Sequence, residues 1–383
     1  EQFVNVDEND IKNDGQAIEG KSMNRFFQRT SGQQGSSNYS LLQKEIDNYL
    51  LQNKLVKKQS IVPIVLSHGY GCAGGIFIPS ISTIYQTLLS RVSIEEAPVC
   101  HIIDWLGNGM SSRPEFQCET TREAEDWFVE SLEEWRKAMN IDKMILCAHS
   151  LGGYMVAIYA MRYPQYIEHL ILISPVGVPS RPPESTEALK NYSWKVRTTF
   201  KAFAKLWNSG WTPHDLVRIS GPKGKVLIEK IVQKRLFRIE DDNPLKNLLA
   251  EYLYHVIAQE GSGEYALNKI LQPGAWAYHP LAIRLGELKK YQKNVTGYGY
   301  NDDDNIDSDD VENVLNSNMK IDFIYGETDW MTSAHAVKLK QESVIKCEVY
   351  INDDCGHQLI LENAKGFGKL LGGVIAKGQI LSN

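Results

Sequence analysis

The sequence predicts an α/β protein, a doubly wound and mostly parallel sheet interrupted by an inserted helical cap. Three observations carry this. Apolar runs of strand length alternate with helix-length segments up to Pro179. One of those strands, Met144-Ile145-Leu146-Cys147, runs into Ala148-His149-Ser150-Leu151-Gly152-Gly153 and then into Tyr154–Ala160, an apolar stretch with no breaker before Pro164. The alternation stops from Ser180 to Asn318 and resumes afterwards, so the expected division is a core in two parts, 1–179 and 319–383, around a cap at 180–318.

Each element follows from its residues. Residues 1–60 are polar and irregular, with short strand candidates at Gln2–Val6 and Met23–Gln28. A Gly/Gln/Ser-rich linker at 31–38 leads to a helix-like stretch, Tyr39–Leu55. Ile61–Leu66 is the first strong strand, an apolar run of the kind that a parallel sheet buries on both faces. Ala97–Trp105 is the next, and Thr121–Met139 is an amphipathic helix. Ile167–Pro175 is a strand, as are Lys320–Gly326 and Cys347–Ile351 beyond the cap.

Composition narrows the function classes. A chain of 383 residues exceeds what one core usually organises, in keeping with a large insertion. A formal net charge of -6, with no dominant basic surface, argues against nucleic acid as the main partner. The six cysteines fall at unrelated spacings without a Cys-x-x-Cys pair, which reads as reduced, intracellular thiols; neither a metal nor another cofactor is expected. No apolar run approaches the roughly 20 residues that span a bilayer. The chain begins with Glu1, so a targeting peptide would not be visible. Asn-x-Ser/Thr triplets at Asn38, Asn191 and Asn294 carry little weight without secretion.

The chemistry concentrates around Ser150. A serine at the tip of a sharp strand-to-helix turn is a nucleophile elbow, and small residues are needed two positions before and after it. Ala148 and Gly152 meet that need, Ala148 being a mild departure from the usual glycine. Upstream, Ser67-His68-Gly69-Tyr70-Gly71 follows a strand and brings the Tyr70 N–H to the elbow; the Leu151 N–H is the second candidate oxyanion donor. Each such donor lowers the barrier by about 3–4 kcal/mol. Downstream, Asp329 just past the 320–326 strand is the candidate acid, with Glu327, Asp353 and Asp354 as rivals. His357, after the 347–351 strand, is the candidate base. The competing reading of Ser150 is a helix cap; His68 and His149 read as structural residues that satisfy loop backbone.

Two cap features stand out. Phe200, Phe203, Trp207 and Trp211 recur at helical spacing beside Lys195, Arg197, Lys201 and Lys205, and no acidic residue occurs from Ala188 to His214. That pattern suits a helix at a membrane interface, or else an ordinary cap helix packed on the core. The acidic run at 301–310 lacks the glycine of a calcium loop and reads as solvated surface.

Taken with Leu170-Ile171-Leu172-Ile173-Ser174-Pro175, these segments resemble one lipid-acting branch of the α/β hydrolases. That branch holds plant and fungal phospholipases and lysophosphatidic acid acyltransferases, a fungal mitochondrial cardiolipin deacylase and an animal co-activator of triacylglycerol lipase. The likeness extends to Val178-Pro179-Ser180-Arg181-Pro182, Ile219-Ser220-Gly221-Pro222, Gly261-Ser262-Gly263-Glu264 and Tyr325-Gly326-Glu327-Thr328-Asp329-Trp330-Met331. It implies an α/β-hydrolase fold and a serine hydrolase of membrane glycerophospholipids or lysophospholipids. The alternatives are a lysophospholipid acyltransferase or transacylase, and a non-catalytic structural or regulatory subunit with a protein partner. It also implies an intracellular place peripheral to a membrane, whether mitochondrial, lipid-droplet or cytosolic. The branch typically shows an aspartate five residues after the histidine; here Glu362 stands there and reads as the start of the following helix. The co-activator lacks the elbow serine, which this chain keeps.

Overall fold

Pro63 has no N–H to give a sheet, and the first strand begins directly after it. The computed structural model describes residues 61–93, 97–182, 192–236, 238–239, 244–287, 319–342 and 345–381. In chain order the first elements are β1 (Ile64–Ser67), α1 (Ile78–Leu89), β2 (Cys100–Ile103), α2 (Thr121–Ala138), β3 (Met144–His149), α3 (Leu151–Arg162) and β4 (Ile167–Ile173). An insertion follows, with α4 (Trp194–Asn208), α5 (Pro213–Ile219), α6 (Pro222–Arg235), α7 (Pro244–Ile257), the one-turn α8 (Leu267–Ile270), and β5 (Leu271–Gln272) and β6 (Trp276–Ala277). The sheet resumes with β7 (Lys320–Gly326), α9 (Ala334–Gln341), β8 (Cys347–Asn352), the one-turn α10 (Leu359–Glu362) and α11 (Ala364–Leu381).

The six long-range strands lie in the order β2-β1-β3-β4-β7-β8, and every pairing is parallel. Their pleat sends alternate side chains to opposite faces. Val65, Leu146, Leu170, Leu172 and Phe323 pack with Phe128, Leu132 and Tyr154 of α2 and α3. Ile64, Leu66, Ile145, Ile171 and Ile324 pack with Ile84, Leu88, Phe367 and Leu371 of α1 and α11. Both faces are thus covered, which is why the strands read as continuous apolar runs rather than alternating ones. From β1 the chain moves to one side for β2 and to the other for β3. The order reverses there, and such a switch point opens a crevice at the strands' carboxyl ends. Ser67-His68-Gly69 and His149-Ser150 lie at those ends.

The doubly wound α/β architecture matches the expectation, with local differences. β4 stops at Ile173 rather than Pro175, because Ser174 adopts a positive φ of 44° and Pro175 cannot donate to the ladder. The reading of 180–318 as lacking strands is corrected by the short antiparallel pair β5–β6, turned by Gly274 at φ 98° and Ala275 at φ 65°. Strands of two residues carry too little pattern to be seen in sequence. Helix α1 has no counterpart among the sequence expectations. The candidates within 1–60, the acidic run at 301–310 and the triplets at Asn38, Asn191 and Asn294 lie outside the described residues. Among the described residues no helix is long and apolar enough to cross a membrane.

Candidate active site

Ser150 joins β3 to α3 at φ 55°, ψ −119°. Holding a non-glycine residue in such a region costs on the order of 1–3 kcal/mol, so the surroundings must impose it. Here they do: the Ser150 N–H donates to the Ile173 carbonyl at 2.9 Å, and the Ser150 carbonyl accepts from the Tyr154 and Val176 N–H groups, each at 3.2 Å. Crowding explains the small neighbours. A Cβ on Gly152 would overlap the His68 carbonyl oxygen, and one on Gly69 would lie 2.8 Å from Ser150 Cβ. The Ala148 methyl is accommodated, fully buried within β3.

The Ser150 side chain does not cap α3. Its Oγ lies 3.0 Å from His357 Nε2, and His357 Nδ1 lies 3.0 Å from Asp329 Oδ1. With Asp329 ionised, this arrangement has Nδ1–H donating to the carboxylate and Nε2 accepting from the serine hydroxyl. Burial opposes the charge on Asp329 more than any other single influence. Its bonds to His357, to the Ser174 hydroxyl and to the Met331 N–H together outweigh that and hold the carboxyl below its ordinary value. Ser150, Asp329 and His357 therefore come together as a linear hydrogen-bonded set. Glu327 is engaged elsewhere, accepting from the Asp354 N–H at 3.1 Å.

The segment carrying the Tyr70 N–H abuts the elbow through Gly69, and Leu151 opens α3, whose amino end faces the same crevice. The Tyr70 ring stacks on His214 of the insertion at 4.6 Å. His68 donates from Nδ1 to the Gly69 carbonyl at 2.8 Å, and its Nε2 accepts from the Trp105 N–H at 3.2 Å. His149 donates from Nε2 to the His357 carbonyl at 2.8 Å. Burial, then the neighbouring His357, push His149 down to about 3, so it is neutral at ordinary pH. Among the described residues no group of His, Cys, Asp and Glu is placed to hold a metal ion.

Two contacts were not readable in the sequence. Ser174 reaches the second oxygen of Asp329 from the end of β4, at a positive φ of 44° that the sequence, read as a strand through Pro175, did not suggest. Glu362 differs from its expected position: it ends the one-turn α10 rather than starting a helix. Its carboxylate instead accepts from the N–H groups of Gly356 and Gln358, the two neighbours of His357, at 2.9 and 3.1 Å.

Comparison with known proteins agrees with this fold. The family described as alpha/beta hydrolase fold matches residues 62–364. A probable 1-acylglycerol-3-phosphate O-acyltransferase of Oryza sativa subsp. japonica is 34% identical over 310 residues, 79% of this chain and 64% of that protein. The chain thus covers just under two thirds of that relative's length. A (lyso)-N-acylphosphatidylethanolamine lipase of Homo sapiens is 31% identical over 295 residues, 76% of this chain and 71% of that protein. The 1-acylglycerol-3-phosphate O-acyltransferase ABHD5 of Rattus norvegicus is 36% identical over 233 residues, 60% of each. A solved bromoperoxidase from Bacillus anthracis superposes with a TM-score of 0.51 at 17% identity, covering 82% of this chain and 91% of that one, a likeness of fold alone. The elbow, the strand order and these relatives lead to one conclusion: the chain belongs to the α/β hydrolase fold family, among relatives named as lipid lipases and acyltransferases.

Proposed function

We propose that the chain is a serine ester hydrolase that deacylates membrane glycerophospholipids or lysophospholipids through an acyl-enzyme. The observation that carries this reading is the Ser150–His357–Asp329 set at 3.0 Å spacings. Ser150 Oγ attacks the ester carbonyl while His357 Nε2 takes its proton and Asp329 stabilises the imidazolium. The oxyanion is stabilised by the N–H groups of Tyr70 and Leu151. His357 then protonates the departing lysolipid or alcohol, and water, activated by the same histidine, releases the fatty acid. The lipid class is supported by the names of the relatives.

A peripheral membrane contact belongs to the same reading. On α4, Trp207 is buried and Phe200 half-buried, whereas Val196, Phe203 and Leu206 are exposed on the same side, and Trp194 is exposed on the side of the four exposed cations. An apolar face flanked by Lys195, Arg197, Lys201 and Lys205 complements anionic headgroups. The names of the plant relatives favour a second reading, in which a lysophospholipid instead of water accepts the acyl group.

The test is a fluorophosphonate probe read by intact mass, alongside release of fatty acid from phospholipid. Wild type should gain one adduct and Ser150→Ala none, with turnover lowered by about 10³-fold or more. A folded wild-type protein that stays unlabelled would overturn the reading. Transfer of labelled acyl groups to added lysophospholipid, in excess of hydrolysis, would select the acyltransferase.

A further inference from the structure

The loop bearing His357 is held from two sides, and one of them is the insertion. Glu362, its side chain only 4% exposed, grips the N–H groups on either side of His357. Its Oε2 also lies 3.3 Å from Nε of Arg238, a residue of the insertion beyond α6. The same guanidinium donates from Nη2 to Thr328 Oγ1 at 2.8 Å. Thr328 in turn donates through its N–H and its hydroxyl to the Cys355 carbonyl, at 3.0 and 3.2 Å. Arg238 therefore touches both the residue before Asp329 and the carboxylate that holds the loop of His357.

From this geometry we infer that Glu362 is a positioning residue for His357, and that Arg238 makes this positioning depend on the seating of the insertion. The physical basis is that a buried carboxylate accepting two N–H groups needs its charge balanced. Arg238 provides that balance from a segment the sheet does not contain. If the insertion shifts, Glu362 loses its counter-charge and its grip on the loop weakens. The His357 ring then departs from the 3.0 Å contacts on which proton transfer depends. The reaction steps are unchanged; what is set is the fraction of molecules aligned for them. The inference rests on the proposed roles of Ser150, His357 and Asp329.

The test compares wild type with Glu362→Gln, Glu362→Ala, Arg238→Gln and the double variant Glu362→Gln/Arg238→Gln, each first shown to be folded by thermal melting. Two readouts are taken: the downfield proton resonance of His357 Nδ1–H on Asp329, and kcat and KM on p-nitrophenyl butyrate. We expect the resonance to broaden or move in each variant. Turnover should fall roughly ten- to hundredfold with KM within about twofold, most in Glu362→Ala. The double variant should be no worse than Glu362→Gln alone, since the two residues act as a unit. Should Glu362→Ala fail to fold, Glu362→Gln, nearly the same in shape, carries the test. An unmoved resonance with unaltered kcat in folded Glu362 variants would overturn the inference, as would losses that multiply in the double variant. Wild type without turnover would instead count against the proposed hydrolase, leaving the resonance to decide the positioning.

Discussion

Ser150 and the histidines around it illustrate how single residues are conditioned by their surroundings. His149 and His214 are both buried, and burial is the leading cause that lowers each to about 3. For a group whose folded value lies below its unfolded value near 6.5, the unfolded chain binds the proton more tightly. Stability is therefore full above pH 6.5 and declines as the pH falls from there toward 3. His68, lowered chiefly by burial, adds in the same direction. The melting temperature should accordingly drop between pH 7.5 and pH 5, at a cost on the order of a few kcal/mol between these residues. His214→Phe keeps a ring against Tyr70 and removes one titrating site. Calorimetry across that interval should show a smaller drop in the variant, and parallel curves would refute the assignment.

Elements were legible in the sequence to the degree that their pattern is local. The central strands β1, β3 and β4 are apolar runs ending at or just before a serine, and α2 carries its own start signal, with the Thr120 hydroxyl and the Glu123 carboxylate capping each other's N–H groups. Helix α1 went unread although Ile84 and Leu88 recur at helical spacing in the core, and the glycines of α11 let the two helices approach closely. A Cβ on Gly372 would sit 2.8 Å from the Ile84 carbonyl, whereas Gly373 faces open space. Gly372→Val should therefore destabilise the protein by about 1–3 kcal/mol, while Gly373→Ala should stabilise it by about 0.5–1 kcal/mol. Urea titration of the two variants separates packing from helix propensity. Helix α4 supplies another test. Lys195→Glu/Lys201→Glu should bind vesicles containing phosphatidylserine several-fold more weakly than wild type at low salt, with binding to neutral vesicles little changed. Equal binding of both proteins to the anionic vesicles would remove α4 from the membrane contact.

Across the whole molecule, charges buried between the insertion and the sheet's helices tie distant segments together. Arg284 donates to both oxygens of Glu125 on α2 at 3.0–3.1 Å, and the Tyr154 hydroxyl donates to the same carboxylate at 2.7 Å. Removing one partner leaves an uncompensated charge in a buried position, which typically costs about 3–5 kcal/mol. Arg284→Met should lower the urea midpoint by that equivalent, and Glu125→Leu/Arg284→Met should recover much of it. A double variant as unstable as the single would show that packing, not the stranded carboxylate, sets the cost.

The sequence by itself determined the fold class and the elbow, because strand and helix periodicity and the steric demands of a tight turn are written in neighbouring residues. It also offered Asp329 and His357 as candidates, since each follows a readable strand. Only the tertiary structure decided that His357 Nε2 meets Ser150 Oγ across 207 positions of chain. The same holds for Ser174 on the second oxygen of Asp329, and for Glu362 holding the loop of the base rather than starting a helix. Such contacts depend on which strands become neighbours and how their ends converge. No local pattern encodes that order, which is set by the burial of both sheet faces at once.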